Sequence, residues 1–130
     1  SPENGRSSGY RFKGYERDKL RRPTFLYEFS GMKIRDSPSA STELAPYLTR
    51  EFTIEGGKEE GKLHYLAAAG SKIESRGETY LVDGKYAISF PDLKKLKPTL
   101  RESGGRKELL LQLEFKGELS FVQRYDWHYE

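Results

Sequence analysis

The chain has 130 residues, a third of them charged, yet its net charge is only +3, so most charges are expected to form a mixed, solvated surface. It contains no cysteine, which excludes disulfides, thiolate metal sites, a cysteine nucleophile and the covalent attachment of a c-type haem. The length predicts one domain with an apolar core of its own, and no apolar run approaches the roughly 20 residues that cross a bilayer.

The first residues of the chain carry its basic surplus. Residues 1–9 are rich in Ser, Gly, Pro and Asn, so we expect a flexible linker or tail ahead of a domain at 10–130. Residues 1–22 hold seven basic and three acidic side chains. Such an arm can bind phosphates or other polyanions, although pairing with neighbouring acids is the more ordinary role. The candidate anion-binding residues are Arg17, Lys19, Arg21 and Arg22.

A β-hairpin is predicted at residues 22–36. Aromatic residues occupy every second position of its first strand, a serine and a glycine supply a two-residue turn, and the apolar alternation resumes after it. In this register Phe29 faces Met32 and Tyr27 faces Ile34, so four apolar side chains share one face.

Shorter patterns flank this hairpin. Residues 10–15 alternate aromatic and basic side chains, which suits an edge strand, and residues 37–46 have the composition of a loop. A further strand is predicted at residues 47–55, with one face formed by Leu48, Arg50, Phe52 and Ile54.

The middle of the chain continues the alternation. A glycine-rich turn is expected at 56–61, followed by a central strand at 63–70 that is apolar on both faces. Residues 78–90 predict another hairpin, because Asp83 and Gly84 form the dipeptide that a type I′ turn favours.

Two further strands are predicted near the C-terminus. Residues 91–98 begin and end with proline and allow at most one helical turn. A serine-glycine-glycine break follows at 103–105. Strict alternation then indicates strands at 109–115 and 119–127. We expect these two strands to pair as a hairpin through a three-residue loop.

These patterns amount to about nine short strands and no helix of normal length. Frequent turn signals between short strands are typical of antiparallel sandwiches and barrels. We therefore predict an all-β fold, a single antiparallel β-sandwich.

Residues with catalytic chemistry are few. His64 and His128 stand far apart in sequence, outside any zinc-binding spacing, and no nucleophile elbow, Walker loop or dinucleotide-binding glycine pattern occurs. With twenty acidic residues, some pair of carboxylates always fits the spacing of a glycosidase, so that criterion discriminates nothing. We predict a non-catalytic chain that binds no metal and no cofactor.

The last strand places three aromatic residues on one side, namely Tyr125, Trp127 and Tyr129. Aromatic rings stack on sugars, so these residues are a candidate carbohydrate-binding face. Alternatively, they form the core-facing or docking side of the strand. We expect this second arrangement, with Trp127 shielded from solvent, because a long exposed apolar stripe would favour aggregation.

Four blocks of the chain resemble a known family. They are Phe12-Lys13-Gly14-Tyr15, the block at 22–28, the block at 67–74 and the block at 101–110. They are similar to the C-terminal β-rich module of large secreted haem-containing proteins, described as sugar dehydrogenases, of planctomycete-type bacteria. The likeness spans roughly residues 10–127, in blocks separated by variable turns.

The resemblance implies an accessory part whose redox chemistry lies elsewhere. In such proteins a β-propeller dehydrogenase-like region and a c-type cytochrome region accompany the module. The implied partners are therefore other domains or subunits of a haem-containing, dehydrogenase-like assembly, and the implied location is secreted or periplasmic. No catalytic residue carries over.

Three functional hypotheses follow. The first is a non-catalytic docking or packing module, and the second is a carbohydrate-binding module that uses exposed tyrosine and tryptophan faces. The third, nucleic-acid or polyanion binding through the N-terminal arm, has the least support, because the basic surplus is small and lies outside the aromatic strands.

Overall fold

A computed structural model describes residues 10–17, 22–41, 44, 47–92 and 96–127, and within these residues the protein is all-β. This confirms the predicted fold class. The described strands are β1 (Tyr10–Arg17), β2 (Pro23–Phe29), β3 (Met32–Ala40), β4 (Tyr47–Gly70), β5 (Ile73–Arg76), β6 (Thr79–Val82), β7 (Tyr86–Ser89), β8 (Lys97–Ser103) and β9 (Arg106–Asp126). The linker predicted at 1–9 lies outside the described residues. No described helix is long and apolar enough to cross a membrane.

The nine described strands form one antiparallel sheet. Their order is β1-β2-β3-β4-β9-β7-β6-β5, and β8 pairs with the first part of β9. β4 and β9 are the long strands of the sheet, and they pair with each other from Tyr47 opposite Asp126 to Gly70 opposite Lys107. Every other strand is arranged on the two sides of this ribbon.

The ribbon bends in the middle, and the bend folds the sheet onto itself. The β4–β9 register shifts between Glu55 and Glu60, next to Gly117. Beyond the bend, Tyr65 lies over Phe52 of its own strand, with ring centroids 5.0 Å apart. The sheet therefore has two layers. The first layer contains β1, β2, β3, the part of β4 before the bend and the part of β9 after it. A second layer contains the rest of β4 and β9 with β8.

Two predicted turns are wrong for this reason. The glycines and charged residues at 56–61 and the loop expected at 116–118 are bends within continuous strands, because each segment keeps a pairing partner across the ribbon. The hairpin expected between 109–115 and 119–127 does not form. Its residues belong to one strand, and Phe115 lies opposite Gly61.

Other element boundaries also differ from the prediction. The strands at 73–76 and 97–103 were not expected, and β3 continues to Ala40 into the predicted loop. The strands are not uniformly short, since β4 has 24 residues and β9 has 21. The count of nine is preserved because two fusions offset two additions.

The other two predicted hairpins are confirmed. Phe29 lies opposite Met32 and Tyr27 opposite Ile34, as the first hairpin requires. In the other hairpin, Asp83 and Gly84 have φ angles of 52° and 65°, the positive pair that a type I′ turn needs. The backbone N–H of Lys85 closes this turn by donating to the carbonyl oxygen of Val82 at 2.9 Å.

The core lies between the two layers. Its members are buried aliphatic and aromatic side chains that face the inside of the fold, among them Ile34, Phe52, Ile54, Leu63, Ile88, Leu109, Leu111, Leu113 and Phe121. The first layer extends past the second, because β3, β2 and β1 continue the sheet beyond β4. None of the residues of β1 and β2 is fully buried, whereas Met32, Ile34 and Asp36 of β3 are.

Candidate binding groove

A groove of about 570 Å³ lies where the second layer stops short of the first. One wall is β4 after the bend, and the five consecutive residues 62–66 all line it. Neighbouring residues of a strand point to opposite faces, so a groove lined by all five borders the edge of the strand. The opposite wall is formed by the inner side of β1, β2 and β3, and the volume is in the range of ligand-binding clefts.

Aromatic rings cover the wall formed by β1 and β2. Tyr10 stacks on Phe29 with ring centroids 4.4 Å apart, and Phe12 contacts Tyr27 at 5.5 Å. We call the six rings on this side the aromatic face, which consists of Tyr10, Phe12, Tyr15, Phe25, Tyr27 and Phe29. Phe12 is 58% exposed and Tyr15 is 53% exposed, so the face is open to solvent beyond the groove.

A bulge in β1 makes the face continuous. Phe12 and Tyr15 are three residues apart and would point to opposite sides of a regular strand. The register of β1 against β2 shifts between Phe12 and Gly14, and Gly14 has a φ of 114°. The extra residue returns Tyr15 to the side of Phe12, where both rings contact Phe25.

The floor of the groove contains an ion pair between two strands. The carboxylate of Asp36, only 4% exposed, accepts hydrogen bonds from Arg50 Nη2 at 2.7 Å and Nε at 3.3 Å. Arg50 Nη1 donates to the hydroxyl of Tyr125 at 3.0 Å, and the guanidinium carbon lies 4.8 Å from the ring centre of Phe52. Burial acts to lower the pKa of Arg50, but the hydrogen bond to Asp36 and the nearby tyrosines outweigh it and raise that pKa.

A second hydrogen-bonded group joins the two layers. The hydroxyl of Tyr65 donates to Gln123 Oε1 at 2.7 Å, and Gln123 Nε2 donates to the carbonyl oxygen of Ala67 at 3.0 Å. Burial raises the pKa of Tyr65, although the positive charge of Arg50 opposes this rise. Every buried side-chain nitrogen and oxygen of the described residues has a partner. The polar groups of the groove are thus held in fixed positions.

The groove therefore offers a bound molecule three kinds of contact, namely stacking on aromatic rings, apolar contact and the fixed guanidinium of Arg50. Among the described residues, no group of three or more His, Asp or Glu side chains could hold a metal ion. His64 is exposed at the edge of the groove, and His128 lies outside the described residues. The absence of catalysis, metal and cofactor stays a prediction.

The residues proposed as a C-terminal aromatic face are brought together in part. Trp127 stacks on Tyr125 with centroids 6.3 Å apart, and Tyr86 of β7 lies 6.2 Å from Trp127. Tyr129 lies outside the described residues. The expectation that Trp127 is shielded is wrong, because the residue is 50% exposed. It follows Asp126, the last paired residue of β9, and therefore extends past the strands that would cover it.

The predicted anion-binding arm is only partly described. The guanidinium of Arg17 lies 5.4 Å from the ring centre of Tyr15, on the side of the aromatic face, and Arg22 is exposed just before β2. Lys19 and Arg21 lie outside the described residues. Elsewhere on this part of the sheet, Arg35 forms an ion pair with Glu16 at 3.1 Å.

Asp36 and Arg50 were not predicted as site residues. One signal was present in the sequence, since Arg50 shares a predicted strand face with Phe52 and Ile54. A charge on an apolar face needs a buried partner. The sequence did not show which acid would supply it.

Comparisons of the chain with protein-family models, curated proteins and solved structures give no match.

Proposed function

We propose that the protein is a non-catalytic accessory β module that docks other domains or subunits of a larger extracytoplasmic assembly. The observation that carries this proposal is the uncovered aromatic face. β1 and β2 form the outer edge of the first layer, where no residue is fully buried, and their inner side presents six rings, of which Phe12 and Tyr15 are more than half exposed. Contiguous exposed apolar surface of this kind marks interaction sites.

The polar floor of the groove supports a binding role. Arg50 is fixed on three sides by Asp36, Tyr125 and the ring of Phe52. A guanidinium held this way loses little side-chain freedom when a partner binds, so less of the contact energy is lost to ordering. The family resemblance supplies the partner for this proposal, namely the other parts of a haem-containing, dehydrogenase-like assembly, and the secreted or periplasmic location.

The test is site-specific photocrosslinking in the cells that make the protein. A photoreactive phenylalanine analogue at Phe12 is expected to crosslink to one defined polypeptide, whereas the same analogue at Arg11, which is exposed and directed to the opposite face, is not. The crosslinked partner is then purified, and Phe12→Ser is expected to weaken its binding about tenfold or more, as loss of a central aromatic anchor does. Equal crosslinking from both positions, or unchanged affinity of the variant, would refute docking through the aromatic face.

A second candidate function is carbohydrate binding at the C-terminal aromatic residues. The half-exposed ring of Trp127, stacked on Tyr125, favours it, since partly exposed stacked rings can lie against a sugar ring. Pull-down with a panel of soluble glycans tests this function. Retention that disappears in Trp127→Ala supports it, and no retention by the native protein removes it. Polyanion binding by the N-terminal arm stays a prediction, for which salt-dependent retention on heparin is the test.

A further inference from the structure

We propose that the docking partner adds an extended segment as a β-strand to the free edge of β4 at residues 62–66, with acidic side chains beside Lys62. The inference rests on the proposed docking function and specifies the partner's conformation and charge. It depends on three features of the groove, which are an edge without a strand, the space beside that edge and the sign of the surrounding charge.

The edge of β4 changes its neighbours at the bend. Before the bend, β4 has β9 on one side and β3 on the other, and the β3 pairing ends with Lys33 opposite Glu55. After the bend, β9 still pairs with residues 62–70, but within the described residues no strand pairs with the other edge. Backbone N–H and C=O groups along such an edge can pair with another chain.

The groove provides the space for a strand at this edge. Five residues in extended conformation span about 16 Å, and a pairing strand lies about 4.8 Å to the side, which places it above the inner side of β3 and β2. There, alternate side chains of the added strand would contact Ile34, Tyr27 and Phe29, which line the groove. The segment would therefore satisfy backbone groups and cover apolar rings at once.

The charges around the groove select an acidic segment. The described charged residues that line the groove and the aromatic face are Arg17, Arg50 and Lys62, against Asp36, and Glu114 of β9 lies opposite Lys62 in the neighbouring strand. Asp36 is already bound by Arg50, and Lys62 is exposed at the edge itself. A partner with Asp or Glu beside Lys62 would compensate this surplus, whereas a second copy would bring an identical basic edge.

A display library of randomised eight-residue peptides, selected against the purified protein, tests the inference. Selected peptides are expected to alternate apolar residues, to carry at least one acid and to bind one per protein molecule. Their binding should slow amide hydrogen exchange at residues 62–66. Synthetic copies with N-methylated amides at every second residue should bind about tenfold more weakly or worse, because N-methylation removes the donors that pair strands.

Charge variants supply the matched controls. Lys62→Glu is expected to weaken binding of an acidic peptide about tenfold, while Lys85→Glu, at the exposed turn between β6 and β7, leaves it unchanged. Circular dichroism establishes that both variants are folded. Lys62→Ala removes the positive charge without reversing it, so it is expected to weaken peptide binding less than Lys62→Glu.

Each other outcome overturns the proposal. If no peptide is selected, or if binding survives N-methylation or leaves exchange at 62–66 unchanged, the edge is not used. If peptides bind without using this edge and Phe12→Ser weakens their binding, the proposed docking function is retained. A dimer in sedimentation experiments, with slowed exchange at 62–66 in the unliganded protein, would assign the edge to a second copy.

Discussion

The ring of Phe115 lies against Gly61, such that a β-carbon at position 61 would come within 2.9 Å of Phe115 Cζ. The same ring faces Gly56, where a β-carbon would approach Cε2 to 2.8 Å. Phe115 is buried and lies inside the bend of the β4–β9 ribbon. The two glycines are therefore needed for space around one aromatic ring.

Replacing Gly61 with alanine is expected to reduce the free energy of unfolding by about 1–3 kcal/mol, the usual cost of an added group in a packed site. Urea denaturation measures this loss. The double variant Gly61→Ala/Phe115→Leu should lose less than the sum of the two single changes, because the smaller side chain leaves room for the new methyl group. Additive losses would show that the ring and the glycine are not coupled.

The buried and the exposed parts of the inner side of the first layer should respond differently to loss of a phenylalanine. Phe52 is buried and stacks on Phe121 at 4.9 Å, so Phe52→Ala is expected to cost about 3–5 kcal/mol. Phe12→Ala should cost less than about 1.5 kcal/mol, because most of that ring is already in water. Thermal or urea unfolding of both variants tests the contrast. Similar costs would mean that the aromatic face is part of the core.

The Asp36–Arg50 pair should be asymmetric under mutation. Arg50→Met leaves a buried carboxylate without its cation and is expected to cost about 3 kcal/mol, while the double change Arg50→Met/Asp36→Leu should restore much of this loss. The free energy of unfolding of the three proteins measures the coupling. If the double variant is less stable than Arg50→Met alone, Asp36 is stabilised by other groups.

Alkaline pH should destabilise the fold through its buried tyrosines. Burial raises the pKa of Tyr65 in the folded protein, so the unfolded chain releases this proton first. The contribution of Tyr65 is then fully present below the ordinary tyrosine pKa and is lost as pH rises from there towards the folded pKa. Tyr65→Phe should be less stable at neutral pH, through loss of the bond to Gln123, but should show a shallower decline of unfolding free energy above about pH 10. The exposed Tyr15→Phe is the control, and equal slopes in all three proteins would contradict the expectation.

Trp127 should behave as a half-exposed residue. Its fluorescence is expected to be quenched by acrylamide, and Trp127→Ala should cost about 1–2 kcal/mol, below the roughly 3–5 of a core aromatic. Emission spectra and urea denaturation measure both quantities. A blue-shifted, unquenched indole would show that another part of the chain covers it.

The sequence predicted local pairing well, because register in a short hairpin depends on neighbouring residues. The alternation around Phe29 and Met32 and the dipeptide Asp83-Gly84 each contain their own turn chemistry. The long strands were missed, since a glycine-rich charged stretch has the same composition in a turn and in a bend. What decides between them is a distant partner, such as Phe115 for the bend near Gly61.

The candidate site was predicted less well for the same reason. Asp36 and Arg50 meet across two strands, and their contact depends on a register that the sequence between β3 and β4 does not reveal. The aromatic face was partly visible in the alternation of Phe25, Tyr27 and Phe29. The sequence did not show that this face is exposed, because exposure depends on where the second layer stops.

The pairing of β4 with β9 also sets an order of events during synthesis. β4 ends at Gly70 and β9 begins at Arg106, so the 35 residues 71–105 are made between the two partners. At roughly 5–20 residues per second, β4 waits about 2–7 s on the ribosome without its main partner. The segment between them contains β5, β6 and β7, whose pairing with one another is local and can form in that interval. Translation speed over residues 71–105 therefore determines how long the longest strand of the protein is open to pairing with the wrong chain.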